Sequence, residues 1–142
     1  MTTILKSVLV PHAAATMFAL VDDVERYPEF LPWCPSTHVM ERTAEVTRAR
    51  IDIGYRGITS QISTVNRKQP PERMDLELVE GPFERFNGCW QFVPLGEAGC
   101  RVELSLDYSL SGSAVSTVLK PVLGYVLETL VDRFVARAGA LA

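Results

Sequence analysis

Cysteine and histidine are scarce in this chain. There are three cysteines, Cys34, Cys89 and Cys100, and two histidines, His12 and His38. An odd number of thiols with no Cys-x-x-Cys pair excludes a disulfide framework, and two histidines leave too few ligands for a zinc site, so no metal is expected. The thiols are expected to be reduced and mostly buried. Nucleophile-elbow, zinc-protease, dinucleotide and phosphate-loop patterns are all missing. His12 and His38 read as surface or hydrogen-bonded histidines. Asp22 and Asp23 look like a helix terminus, and Glu128 with Asp132 like a solvated helix face. No catalytic residue is assigned, and the chain is expected to be neither an enzyme nor a cofactor carrier.

An excess of positive charge is also lacking. Lys and Arg total 14 against 17 Asp and Glu, a net charge of -3. The field of the whole molecule repels a phosphate backbone, so DNA binding is not expected and any contact with nucleic acid must be local. No window approaches the roughly 18 to 20 apolar residues of a membrane span. The run Ile4 to Val10 is interrupted by Lys6 and lacks a basic leader and a cleavage site, so it is not read as a signal peptide. The expected location is the cytoplasm, with the inner membrane reached at most as a peripheral visitor.

What is present is a globular composition, 47% apolar and 22% charged over 142 residues, which fits one domain covering 1–142. Ile4 to Val10, rich in β-branched residues, predicts a first strand ended by Pro11. Ala14, Met17, Phe18 and Val21 then recur at helical spacing, which predicts a helix of about three turns opened by Pro11. From Thr37 to Leu110 the alternation is that of strands. Met74, Leu76 and Leu78 oppose Arg73, Asp75 and Glu77; Phe86, Trp90 and Phe92 share a face, as do Cys100, Val102, Leu104, Leu106, Tyr108 and Leu110. Turn residues at 54–57, 68–72, 80–83 and 94–99 divide the region into about six antiparallel strands, seven with the first.

The last segment returns to helical spacing. Val115, Val118, Leu119, Val122, Leu123, Val126, Leu127, Leu130, Val131, Phe134 and Ala138 form one stripe, with Ser113 as the expected N-cap and Pro121 expected to kink or divide the helix. A sheet with one apolar face needs cover, and only this helix is long enough to supply it. The expected architecture is α+β: a curved antiparallel sheet of six or seven strands wrapped round a long C-terminal helix, with a short helix after the first strand. Sheets that curl round one helix leave space between the two.

One stretch breaks the pattern. "ERYPEFLPWCPS", Glu25 to Ser36, carries three prolines and should be a loop or a short helical turn, yet it holds Tyr27, Phe30, Leu31, Trp33 and Cys34. Loops are normally polar surface. Stiff, apolar and adjacent to the predicted space, it reads as the rim of a ligand cavity, with Phe30, Leu31 and Trp33 at the entrance. Elsewhere Arg48, Arg50, Arg56, Arg67 and Lys68 form a modest basic cluster, read as the wet face of the sheet; read functionally, Arg48 and Arg50 would meet RNA phosphates.

"YPEFLPWC" at Tyr27 to Cys34, "IGYRGI" at Ile53 to Ile58, "TVNR" at Thr64 to Arg67, "EGPFERFNGCWQF" at Glu80 to Phe92 and "LVDRFVARA" at Leu130 to Ala138 together resemble the coenzyme Q-binding START-domain family. Its bacterial members are also called the RatA family, within the polyketide cyclase and START-like superfamily. The resemblance runs over essentially the whole chain. It implies a helix-grip fold and two activities: binding of ubiquinone or a polyprenylated precursor in support of respiration, and association with the large ribosomal subunit as a toxin that blocks its joining to the small one. It supplies no catalytic set. A polyketide cyclase-like enzyme is the third reading, disfavoured because no acid or base is seen in the expected lining.

Cavity and rim positions follow from the fold. Tyr27, Phe30, Leu31, Trp33, Met74, Phe83, Phe86, Trp90, Leu104, Val126, Leu130 and Phe134 are the expected ligand-binding residues, with Gln61, Asn87 and Tyr108 as polar candidates. The leading expectation is a hydrophobic, ubiquinone-like ligand, with transient contact to a membrane surface. The alternative partner is the large ribosomal subunit.

Overall fold

A computed structural model describes residues 2–142, apart from the side chains of residues 113 and 115. Seven strands form one antiparallel sheet: β1 (Thr2–Val10), β2 (Thr37–Arg42), β3 (Val46–Tyr55), β4 (Ile58–Gln69), β5 (Arg73–Glu80), β6 (Phe83–Pro94) and β7 (Cys100–Leu110). Their order is β1-β7-β6-β5-β4-β3-β2, so β2 to β7 make a meander and β1 closes it beside β7. The helix α1 (Ala14–Asp22) and a 3-10 helix (Val24–Glu29) lie between β1 and β2, and α2 (Ser113–Leu141) follows β7. This is the α+β, helix-grip arrangement that the alternation and the final stripe imply.

The inner face carries the core. Met74 of β5, Phe86, Trp90 and Phe92 of β6, and Val102, Leu104 and Leu106 of β7 are all buried. At about 1.5 Å per residue, the 29 residues of α2 extend about 43 Å, enough to cross the twisted sheet. Its Leu119, Val122, Leu123, Val126, Leu127, Val131, Phe134 and Ala138 are buried against that face.

Four local expectations are corrected. The helix α1 begins at Ala14, not at Pro11, because Ala13 keeps extended backbone angles as its N-cap. Pro121 does not divide α2, which runs unbroken past it with the ring on the exposed side. Gly112 occupies the N-cap position expected of Ser113, whose side chain, like that of Val115, lies outside the described residues. Val118, at the margin of the stripe, is exposed.

Three bulges curve the sheet. The register shifts between Val39 and Glu41, between Ser63 and Thr64, and between Phe83 and Arg85. Each inserts one residue that has no partner across the ladder, bending the strand and increasing its twist. Met40 and Val79, two of the large apolar residues left exposed, are the inserted residues of the first two bulges.

Curvature brings the β3 and β4 side of the sheet onto the end of α1. Asp22 there accepts hydrogen bonds from Thr47 Oγ1 at 2.8 Å and Lys68 Nζ at 3.0 Å. Lys68 therefore belongs to the inner face and not to the wet basic cluster, because it shares its parity along β4 with buried Thr64 and Asn66. Its side chain is 3% exposed and that of Asp22 is 19%. Removing one partner of such a pair strands the other charge, whereas replacing both with apolar groups does not. Lys68→Met alone should lower unfolding stability by about 3 kcal/mol, and the double variant Lys68→Met/Asp22→Leu should recover part of that loss but not all, because it leaves the buried Thr47 hydroxyl without its acceptor. Urea denaturation at pH 7 measures both; a loss below about 1 kcal/mol for the single variant would show that the pair does not hold the sheet.

Candidate functional site: the cavity between sheet and helix

The apolar loop is not an open rim. Its first half is the 3-10 helix, which places Tyr27 inside the molecule, where its hydroxyl donates to the carbonyl of Val21. Burial holds this phenol well above its ordinary pKa. Its ring meets Phe134 of α2 edge-on at 5.3 Å, Phe30 meets Phe134 at 5.2 Å, and Trp90 meets Phe134 at 5.5 Å. Aromatic edge-to-face contacts of this kind add to the burial of the rings. Phe30, half-buried, is covered by the Arg137 guanidinium 5.2 Å from its centroid, and Arg137 also bonds Glu29 at 2.6 Å.

The second half of the loop is tied down by backbone bonds. Gly54 N–H donates to the Trp33 carbonyl at 2.9 Å, and Asp52 N–H to the Ser36 carbonyl at 3.0 Å, so residues 33–36 run alongside β3. Leu31 and Trp33 are only 1% and 3% exposed. The expected entrance is thus a sealed seam in this conformation. Its apolar side chains are core because the prolines and the β3 contacts satisfy the backbone while the side chains turn inward.

Behind the seam lies a cavity of about 80 Å³. Of the expected lining, Tyr27, Trp33, Met74, Phe86, Trp90, Val126, Leu130 and Phe134 do line it. Phe30 and Leu31 do not. Phe83 packs beyond it against Phe86 and Tyr108, and Leu104 is buried outside its wall. Leu76 and Leu106, of the alternating inner-face set, line it too, and so do residues the pattern did not single out: Ala49, Ile51, Ile53 and Ile62 of β3 and β4, with Val21, Val24 and Leu127. The alternation of β3 carried the signal, but its arginines drew attention to the other face. Between Leu76 and Leu106 stands Gly88, where an added Cβ would lie 2.7 Å from Leu106 and 3.0 Å from Leu76. Only glycine lets these two side chains close over the strand.

The polar groups of the cavity differ from those expected. Gln61 and Asn87 are exposed, and Tyr108 packs on Phe83. Thr64 and Asn66 line the wall instead, with Thr64 Oγ1 donating to Asn66 Oδ1 at 2.7 Å. Trp33 Nε1 is buried and has no hydrogen-bond partner among the described residues. One buried donor without an acceptor thus belongs to the wall of a largely apolar space.

A model for the polyketide cyclase / dehydrase and lipid transport family matches residues 10–135. The ribosome association toxin RatA of Pseudomonas aeruginosa is 37% identical over 140 residues, which are 99% of this chain and 97% of that protein. This chain belongs to the polyketide cyclase / dehydrase and lipid transport family and, within it, to the RatA group. More distantly, the mitochondrial coenzyme Q-binding protein coq10 of Schizosaccharomyces pombe is 24% identical over 138 residues, covering 92% of this chain and 82% of that one. A START superfamily protein from Mycobacterium smegmatis superimposes with a TM-score of 0.80 at 23% identity, over 99% of each chain, which places the fold. Among the described residues, no helix of this family member is long and apolar enough to cross a membrane.

Burial also governs the thiols. It pushes Cys34 and Cys89 up to about 11 and raises Cys100 above its usual range. The thiolate is the reactive form. At pH 8 all three should react with a thiol reagent far more slowly in the native protein than in guanidinium. Because the folded Cys34 value exceeds the ordinary 9.0, its contribution to stability is complete below about pH 9 and is lost as pH rises through about 11. Rapid native labelling at pH 8 would contradict this.

Proposed function

We propose that this chain is a ribosome-associating protein of the RatA type, which binds the large ribosomal subunit in the cytoplasm and blocks its joining to the small one. The observation that carries the reading is the 37% identity to a ribosome association toxin over nearly the whole of both chains. The cavity adds weight, because at about 80 Å³ it is well below the roughly 300 to 1,000 Å³ of small-molecule sites. The working part is then the folded surface, and no chemical step is required of it. Overproduction followed by sucrose-gradient sedimentation should raise free subunits at the expense of joined ribosomes. An unchanged ratio, with the protein absent from the large-subunit fractions, would refute the proposal.

A second reading is supported by the unpaired Trp33 Nε1. A ubiquinone head group carries a carbonyl acceptor for this donor, while Met74, Trp90 and Phe134 would hold its apolar edge. An isoprenoid tail needs more room than the cavity has, so this ligand requires α2 to move away from the sheet. Protein purified from quinone-producing cells and extracted with solvent should then yield a quinone by mass spectrometry. Trp33→Phe should weaken quinone binding by about five- to ten-fold, the equivalent of one hydrogen bond. An extract without isoprenoid, together with no binding in titration, would exclude this reading.

A further inference from the structure

Five arginines of the outer sheet face are already neutralised, and exposed Arg85 of β6 is not. Arg48 pairs with Glu41 at 2.8 Å, Arg50 with Asp52 at 3.1 Å, Arg67 with Glu77 at 2.9 Å, Arg73 with Asp75 at 3.0 Å and Arg101 with Glu103 at 3.0 Å. That face offers alternating charge and not a positive field, which removes Arg48 and Arg50 as phosphate contacts. Further uncompensated positive charge lies elsewhere. Among the described residues Lys6, Arg56, Arg85, Lys120 and Arg133 have no ion pair with a carboxylate, and of these Arg56 and Arg133 each engage a tyrosine. Arg56 sits 5.3 Å over the Tyr55 ring, Tyr55 stacks on Tyr125 at 5.1 Å and 17°, and Arg133 Nη2 donates to the Tyr125 hydroxyl at 3.2 Å.

The backbone presents this cluster. Tyr55 pairs with Ile58, leaving Arg56 and Gly57 as a two-residue hairpin turn with φ of 52° and 81°. Such turns favour Asn, Asp or Gly at the first position, and an arginine there holds a left-handed backbone at a cost in strain. The tip is open, since nothing lies within 4 Å of a Cβ built on Gly57. Exposed Glu128 and Asp132 flank the cluster on α2 without forming an ion pair with Arg133.

We propose that the Arg56 hairpin tip, with Tyr55, Tyr125 and Arg133, is the surface that docks on ribosomal RNA. This rests on the ribosome-association reading. Stacked phenol rings and guanidinium planes suit the flat face of an unstacked base, and unpaired guanidinium groups suit the phosphates beside it. The net charge of -3 over the whole chain makes any such contact local, and here the unpaired guanidinium groups are combined with aromatic rings. The sheet alternation hid it, because Arg56 belongs to the turn and Tyr125 and Arg133 lie far along the chain on α2.

The test uses the intact protein, purified bacterial large subunits and naked large-subunit RNA, titrated over a range of potassium chloride. Wild type should bind both. Arg56→Gln/Arg133→Gln should bind each at least ten-fold more weakly and lower the slope of log affinity against log salt by about 1.4, at about 0.7 per single-strand phosphate contact. Its melting curve should be unchanged, and Arg101→Gln on the outer face should bind like wild type. Equal binding by the double variant would overturn the assignment. If wild type binds subunits but not RNA, and the double variant loses the subunits, the partner is a ribosomal protein and the RNA proposal fails. If wild type binds neither, the ribosome-association reading itself falls.

Discussion

Asp22 closes α1 and receives Lys68 from β4 and Thr47 from β3, while Arg42 of β2 reaches its backbone carbonyl at 2.7 Å. Three neighbouring strands thus converge on one helix end. The need for such a clamp follows from area: seven strands present more apolar surface than one helix about 10–12 Å wide can cover. Bending the sheet shortens the span to be covered, and the three bulges permit the bend. What α2 still leaves open is filled by α1 and the proline-rich segment, whose positions depend on the same carboxylate. The arrangement commits a buried charge to geometry, which is the use to which such pairs are best suited.

The proline-rich segment completes the closure. Prolines lower the cost of fixing a loop, the Trp33 and Ser36 carbonyls find donors on β3, and the Cys34 N–H donates to the Leu31 carbonyl. Its aromatic rings can then join those of β6 and α2 through Phe134, which touches Tyr27, Phe30 and Trp90. A loop rich in apolar side chains is consistent with the rule that buried backbone must be paired, because here the pairing is provided.

Much of the fold was legible because one-sided burial writes period two on strands and period 3.6 on helices. Met74, Leu76 and Leu78 of β5 and the stripe of α2 are read directly in this way. Bulges leave no such mark, so the exposure of Met40 and Val79 was not foreseeable from pattern. The inner face of β4 was missed for a different reason. Its Thr64, Asn66 and Lys68 are polar, so alternation of polarity gives no parity, and only the partner across space, Asp22, which accepts from Lys68, reveals which way they point. The loop was identified as apolar, but whether Leu31 and Trp33 stand at a rim or within the core depends on the register of residues 33–36 against β3, which no local spacing encodes.

The cavity wall and the contact with the hairpin tip meet on α2. Val126, Leu130 and Phe134 face the cavity, while Tyr125 and Arg133, on an adjoining side of the same helix, face the hairpin tip. A close-packed interior does not yield volume without moving its walls. The sheet wall is fixed by hydrogen bonds on both sides of every inner strand, so the wall free to move is the helix. Any occupant larger than the present cavity must therefore displace α2, and a displaced α2 draws Tyr125 away from Tyr55. Filling the interior and presenting the stacked arginine surface are in this sense competing states of one element, joined by a helix that serves both faces.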